Sequence, residues 1–317
     1  MAEKPGNPKK KKQRSDLVDR LQYVGLRLVS MVLHSFPVDA NLRTAELLGD
    51  FMYRVDRRHR RRAEGNLLRS FPDMPERQRQ AMARRSMRQL FKLFVEVLFT
   101  TRLIRLDTWP RYVELQNFRT VVDLLVRNQG LIMLTGHYGN WEILGYVLAT
   151  LGFETTSVAR PLDNPYVNEW LLGVREKQGQ RIIDKKGATT EVAPLLSRGG
   201  AVGFIADQNA GSKGLFVDFF GRKASTYKSI GLLAMEYNVP VVIGYARRFG
   251  EGFRFKVGAQ DIIYPEDWKS QDDPLRYITQ RYTKGIEDFV REDPGQYLWV
   301  HRRWKTRPKG AAPEAFD

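Results

Sequence analysis

A chain of 317 residues, 42% hydrophobic and 28% charged, has the composition of a folded globular protein and the length to bury a large core. It has no cysteine, which excludes disulfides, thiolate nucleophiles and zinc–thiolate sites. Its formal net charge of +16 implies an anionic partner: nucleic acid, an anionic membrane surface or an acidic carrier protein.

Residues 1–15, rich in Lys, Pro and Gly, are expected to be a disordered basic tail without the long apolar core of a secretory signal. Residues 16–36 (DLVDRLQYVGLRLVSMVLHSF) are helical by pattern, but Asp19, Arg20 and Arg27 interrupt the apolar positions. No run of about 20 apolar residues spans a bilayer. Arg20, Arg27 and His34 recur every seven residues on one face, roughly opposite Val18, Val29 and Val32. That layout suits a membrane interface beside a polybasic tail, and equally a helix packed on its own domain.

Helices follow at Asn41–Tyr53 and Arg57–Ser70, and then from Glu76 to about Thr101 with an apolar stripe through Leu90, Phe94, Val97 and Leu98. Arg57, Arg58, Arg60, Arg61 and Arg62 make a second basic cluster, and His34 and His59 read as surface residues. A helix at Phe118–Arg127 closes this helical layer (37–128) and leads into the first expected strand.

From Leu131 short apolar strands alternate with helices, which predicts an α/β fold: a central mixed, largely parallel sheet flanked by helices, with the N-terminal helices as a membrane-facing layer. Strands are expected at Leu131–Thr135, Thr155–Ala159, Arg181–Asp184, Ala201–Ala206, Pro240–Arg247 and Phe253–Val257. Helices are expected at Trp141–Leu151, Pro165–Lys177, Thr190–Ser197, Thr226–Tyr237 and Pro274–Arg291. Residues 16–317 read as one domain. The tail QYLWVHRRWKTRP, with His301, Arg302 and Arg303, reads as solvated, with phosphate contact by these three residues as the alternative.

The chemistry concentrates in LIMLTGHYGNWEILGY, Leu131–Tyr146, where a strand passes through a Gly-flanked turn into a helix. α/β folds place ligands and reacting groups at such corners. Gly136 and Gly139 free the backbone around His137, Asn140 is a candidate N-cap, and Glu142 falls in the first helical turn, where the helix dipole favours its ionised form. A carboxylate beside a turn imidazole fixes its tautomer and leaves the other nitrogen to accept a proton from a hydroxyl. No G-x-S-x-G elbow is present, so no covalent acyl-enzyme is expected. HYGNWE is not H-E-x-x-H, so no metal is expected either.

The H-x-x-x-x-E block at His137–Glu142 resembles the signature of the lysophospholipid acyltransferase superfamily. Four further stretches resemble its bacterial branch, the lipid A biosynthesis (lauroyl/myristoyl) acyltransferases and related phosphatidylinositol mannoside acyltransferases. They are RRRAEGNLLRSFPDM (60–74), VARPLDNP (158–165), FIADQNAGSKGLFVDFFGRKAST (204–226) and WVHRRWKTRP (299–308). The resemblance implies His137 as general base and Glu142 as its partner. It also implies a binding role for Arg160, Asp207, Gln208, Phe219, Phe220 and Thr226. Arg160 ends an apolar strand, where a buried cation needs an anion. A structural hydrogen-bonding role suits Asp207 as well, and a core position suits Phe219 and Phe220.

By the same resemblance, the expected activity is transfer of a fatty acyl group from an acyl thioester to a hydroxyl of a lipid A precursor or related glycolipid. The co-substrate is acyl-ACP or acyl-CoA, with no cofactor. The partners are an acceptor lipid, an acyl carrier protein and an anionic membrane surface, at the cytoplasmic face of the inner membrane. A glycerol-phosphate acyltransferase is the nearest alternative, disfavoured by VARP in the second block. A non-enzymatic basic membrane- or nucleic-acid-binding protein is the alternative from another class; against nucleic acid, the basic stretches lack aromatic interleaving and no nucleic-acid module is visible.

Overall fold

Four helices open the described chain: α1 (Asp16–His34), α2 (Val38–Val55), α3 (Arg57–Ser70) and α4 (Glu76–Leu103). The computed structural model describes residues 15–185, 187–308 and 310. The basic tail expected at 1–15 therefore lies, apart from Ser15, outside the described residues. Among them no helix is long and apolar enough to cross a membrane.

A 3₁₀ turn (Trp109–Arg111) leads to β1 (Val113–Gln116), α5 (Arg119–Val126) and β2 (Leu131–Thr135). Next come α6 (Trp141–Thr150), β3 (Thr155–Ala159), α7 (Pro165–Glu176), β4 (Arg181–Asp184), α8 (Ala188–Ser197) and β5 (Ala201–Ile205). The chain continues through β6 (Leu215–Phe219), β7 (Arg222–Thr226), α9 (Ser229–Tyr237), β8 (Val241–Arg248), β9 (Phe255–Ile263), α10 (Pro265–Lys269) and α11 (Pro274–Glu292).

The seven-stranded sheet has the order β1-β9-β8-β2-β5-β3-β4. Only the β8–β9 pairing is antiparallel; every other pairing in it is parallel. The fold is thus α/β with a mixed, largely parallel sheet flanked by helices, as expected. β2 reads LIMLT without polar alternation because it is buried on both faces. Ile132, Leu134, Val241 and Ile243 join one apolar cluster with Ile230, Ile278 and Ile286. Leu131 and Val242 join another with Val121, Leu125 and Leu148, the period-2 division a strand imposes.

Several elements depart from the sequence reading: α10 was not expected, and the helix expected from Thr226 begins at Ser229, Thr226 being the last residue of β7. β1 and the β6–β7 hairpin were not expected, and β9 runs to Ile263, past the expected Val257. The hairpin turns at Phe220 (φ +53°) and Gly221 (φ +70°). A phenylalanine in the left-handed region lacks the Asn-Gly signal of such turns. It is held there by burial (4% exposed), by donating its N–H to Glu287 at 2.5 Å, and by Arg291 above its ring. The stripe expected on α4 is also rotated. Phe94 is 63% exposed, whereas Leu93, Val95, Glu96 and Phe99 are buried. The buried face carries a charged residue, which hydropathy periodicity assigns to solvent.

Candidate active site

Adjacent parallel strands β2 and β5 pair Thr135 with Ile205, and the pairing runs on as Ala206 donates its N–H to the Thr135 carbonyl (2.9 Å). Two residues beyond each strand end stand His137 and Asp207. The Asp207 carboxylate receives the His137 backbone N–H (Oδ2, 2.8 Å) and faces the ring Nδ1 (Oδ1, 2.7 Å). A carboxylate can only accept, so Nδ1 carries a proton, and in the neutral imidazole Nε2 keeps its lone pair. Asp207 is 2% exposed. Its burial favours the neutral acid, but His137's charge and hydrogen bonds, together with His301, hold the carboxyl well below its usual range. The amide of Gln208 approaches Nε2 at 3.4 Å, a contact long enough for a substrate hydroxyl to replace.

The turn carrying His137 is fixed on all sides. Gly139 takes φ +55°, and a Cβ there would stand 1.9 Å from the Ala246 carbonyl oxygen, so only glycine fits. The Asn140 side chain caps α6 by accepting from the Ile143 N–H (3.3 Å) and donates to buried Glu96 (2.8 Å). Glu96 in turn grips Arg248 at the end of β8 through two hydrogen bonds (2.5 and 2.6 Å). The C-terminal segment closes the other side. Gly139 donates to the Gln296 carbonyl, and Leu298 donates to the carbonyl of His137.

Glu142 lies in the first turn of α6 as expected, but the carboxylate on the imidazole is Asp207. This corrects the expected His137–Glu142 pair. Glu142 receives both Nε and Nη2 of Arg175 (2.8 Å each) and the Trp141 indole N–H (3.1 Å). Trp141 meets the His137 ring edge-on, with centroids 4.9 Å apart. Beside it opens a cavity of about 110 Å³ on the α5 and α6 side of the sheet, lined by Trp141, Glu142 and Arg175 and then by apolar residues such as Met133, Leu148, Val158 and Phe204.

The other expected binding residues separate into two groups. Gln208 joins the imidazole. Arg160 does not: its side chain is 79% exposed and pairs with Asp163 (3.3 Å), so it is no buried cation waiting for an anion. Phe219 and Phe220 pack in an aromatic cluster with Trp299 and Trp304, away from the cavity lining. Thr226 is fully buried and accepts from Arg303 (2.6 Å). These three are core and scaffold positions.

The tail expected to be solvated belongs to the site. The His301 ring lies 4.3 Å from that of His137, centroid to centroid. Arg303 is 1% exposed and donates to the carbonyls of Gln208 (3.1 Å) and Ser225 (2.6 Å), tying down the segment after β5. The signal was present: Trp299 and Trp304 bracket the basic triplet, and both are buried. Of the two histidines expected at the surface, His34 is half-buried and stacks on Phe99 at 4.6 Å. His59 pairs with Asp56.

Residues 7–306 match the family model described as bacterial lipid A biosynthesis acyltransferase. The chain belongs to that family. Among its relatives are a lipid A biosynthesis lauroyltransferase of Escherichia coli (strain K12), 24% identical over 92% of this chain and 93% of the relative. A lipid A biosynthesis acyltransferase of Haemophilus influenzae is 26% identical over 80% of each chain. A lipid A biosynthesis myristoyltransferase of E. coli is 25% identical over 83% of this chain and 80% of the relative. Membership of the lipid A acyltransferase family makes the chain an acyltransferase, and the imidazole at the β2–β5 strand ends is where its geometry concentrates.

Proposed function

We propose that this acyltransferase moves a fatty acyl group from a thioester, carried on an acidic carrier protein, to a hydroxyl of a lipid A precursor, with His137 as general base and Asp207 as its orienter. The observation that carries this reading is the buried Asp207–His137 hydrogen bond, which leaves Nε2 as the proton acceptor of a ring packed against Trp141, itself part of the wall of an apolar cavity. Nε2 takes the proton of the acceptor hydroxyl, and the oxygen attacks the thioester carbonyl carbon. The tetrahedral intermediate then breaks its C–S bond, and the thiolate leaves with the proton held on the imidazolium. Asp207 stabilises that imidazolium. The apolar cavity takes the acyl chain, with the Glu142–Arg175 pair and Trp141 at its mouth. The names of the relatives, lauroyl-, myristoyl- and palmitoleoyltransferase, agree with a fatty acyl chain as the transferred group.

The enzyme works peripherally on the inner membrane. Support comes from α1, whose Leu17, Leu21, Val24, Leu28, Met31 and Val32 are exposed, beside exposed Leu47, Leu48, Phe51 and Val55 of α2. The net charge of +16 suits both an anionic bilayer and an acidic carrier.

Transfer of a dodecanoyl group from acyl carrier protein to a lipid A precursor, followed by mass spectrometry, tests the proposal. His137→Ala is expected to lose roughly 100-fold or more, and Asp207→Asn about 100- to 10,000-fold through the wrong tautomer. A folded Asp207→Asn variant with near wild-type turnover rules out the orienter assignment.

A further inference from the structure

A second imidazole packs against that of His137, and the acyl-transfer reading above leaves it without a task. His301 sits at a ring-to-ring distance of 4.3 Å and a tilt of 37°. Its backbone is pinned: its N–H donates to the Leu298 carbonyl (3.1 Å), and Asn66 donates to the carbonyls of Trp299 (2.8 Å) and His301 (3.2 Å). Among the described residues no hydrogen bond reaches its ring. At this distance a charge on one ring opposes a charge on the other, and the Asp207 carboxylate is hydrogen-bonded to the His137 ring and not to that of His301. Burial, then the charge of His137, push the His301 imidazole down to about 4 against the pull of Asp207, so it stays neutral near pH 7 with one ring N–H to offer.

The cations around the site are committed elsewhere. Arg175 holds Glu142, Arg248 holds Glu96, Arg160 pairs with Asp163, and Arg303 donates to the Gln208 and Ser225 carbonyls and to Thr226. A hydroxyl on His137 Nε2 brings the attacked carbon within about 6 Å of that nitrogen, given hydrogen bonds of about 2.8 Å. The His301 ring, its centroid 4.3 Å from that of His137, lies within that radius. We propose that His301 is a catalytic residue, a neutral hydrogen-bond donor to the oxyanion that forms on the thioester carbonyl. This assignment rests on the acyl-transfer reading. A fixed donor of this kind needs no reorganisation as charge develops.

The test uses purified full-length protein, dodecanoyl-loaded acyl carrier protein and detergent-dispersed lipid A precursor, with kcat and KM measured separately. H301F keeps a ring in place but removes the N–H. It is expected to lower kcat by about 100-fold or more, the usual effect of deleting one oxyanion donor, with KM changed less than about threefold. The better of H301N and H301Q, which restore an amide N–H, is expected to recover at least about tenfold over H301F. A folded H301F that keeps more than about a third of wild-type kcat overturns the assignment, as does a loss that falls on KM alone. Should H301F not fold, H301A replaces it as the reference, and equal rates for H301A and both amide variants overturn the proposal. Wild-type protein that transfers no acyl group instead removes the acyl-transfer reading, and this inference with it.

Discussion

Burial by itself favours the protonated form of Asp207, yet the neighbouring imidazoles and the hydrogen bonds from His137 keep it ionised. His301 is shifted in the sense opposite to a paired histidine. It titrates near 6.5 in an unfolded chain and only near 4 in the fold. Between those values the unfolded state binds more protons, so acidification from pH 6.5 toward 4 destabilises the native state and alkalinisation restores it. Thermal midpoints read from pH 8 to pH 4 are therefore expected to fall less steeply for H301Q than for wild type. Identical slopes would show that His301 protonates as freely in the fold as outside it. The imidazole was legible at this scale, because His137 follows an apolar strand and sits between two glycines. Its partner was not. Glu142 is five positions away, whereas Asp207 is 70 away, and only the β2–β5 register joins them.

At the scale of elements, the turn that carries His137 is fastened to α4 and β8 by a buried ion pair. Glu96 is fully buried and Arg248 is 8% exposed, with Asn140 as the link to α6. Breaking such a pair on one side leaves an uncompensated charge, which costs roughly 3–5 kcal/mol, whereas replacing both partners with apolar residues is often neutral. Chemical denaturation is expected to show Glu96→Ala losing stability in that range and the double variant E96L/R248M recovering most of it. A Glu96→Ala chain within about 1 kcal/mol of wild type would mean that water reaches the pair. This pair also explains the rotated face of α4: a stripe drawn through Leu90, Phe94, Val97 and Leu98 omits Glu96, since nothing local announces an arginine 152 positions later. The strands β2, β3 and β4 kept their expected bounds because continuous apolar runs between turn residues leave a strand few alternatives.

Over the whole molecule, α1 is amphipathic in the reverse sense from a core helix. It meets the body through Asp19, which is buried, and half-buried Tyr23, Leu26, Ser30 and Leu33, and Asn164 of the loop before α7 donates to the Asp19 carbonyl. Its outward side carries Leu17, Val18, Leu21, Val24, Leu28, Val29 and Val32. On anionic phospholipid vesicles the protein is expected to sediment with the lipid, and the double variant L21E/L28E to bind at least about tenfold more weakly with an unchanged melting curve. High salt should weaken both, through the basic surface. Equal sedimentation of the two proteins would remove the helix as an anchor.

The sequence by itself determined the α/β class, the positions of most strands, the imidazole at a strand-to-helix corner and the family likeness, because these depend on periodicity, turn chemistry and residue order within short windows. The tertiary structure decided which carboxylate serves the imidazole, which side of α4 and α1 faces inward, and that His301 and Arg303 are not solvated. Each of those depends on strands or helices far apart in the chain meeting at a fixed register, where pairing with a distant charge overrides the local preference of a polar side chain for water.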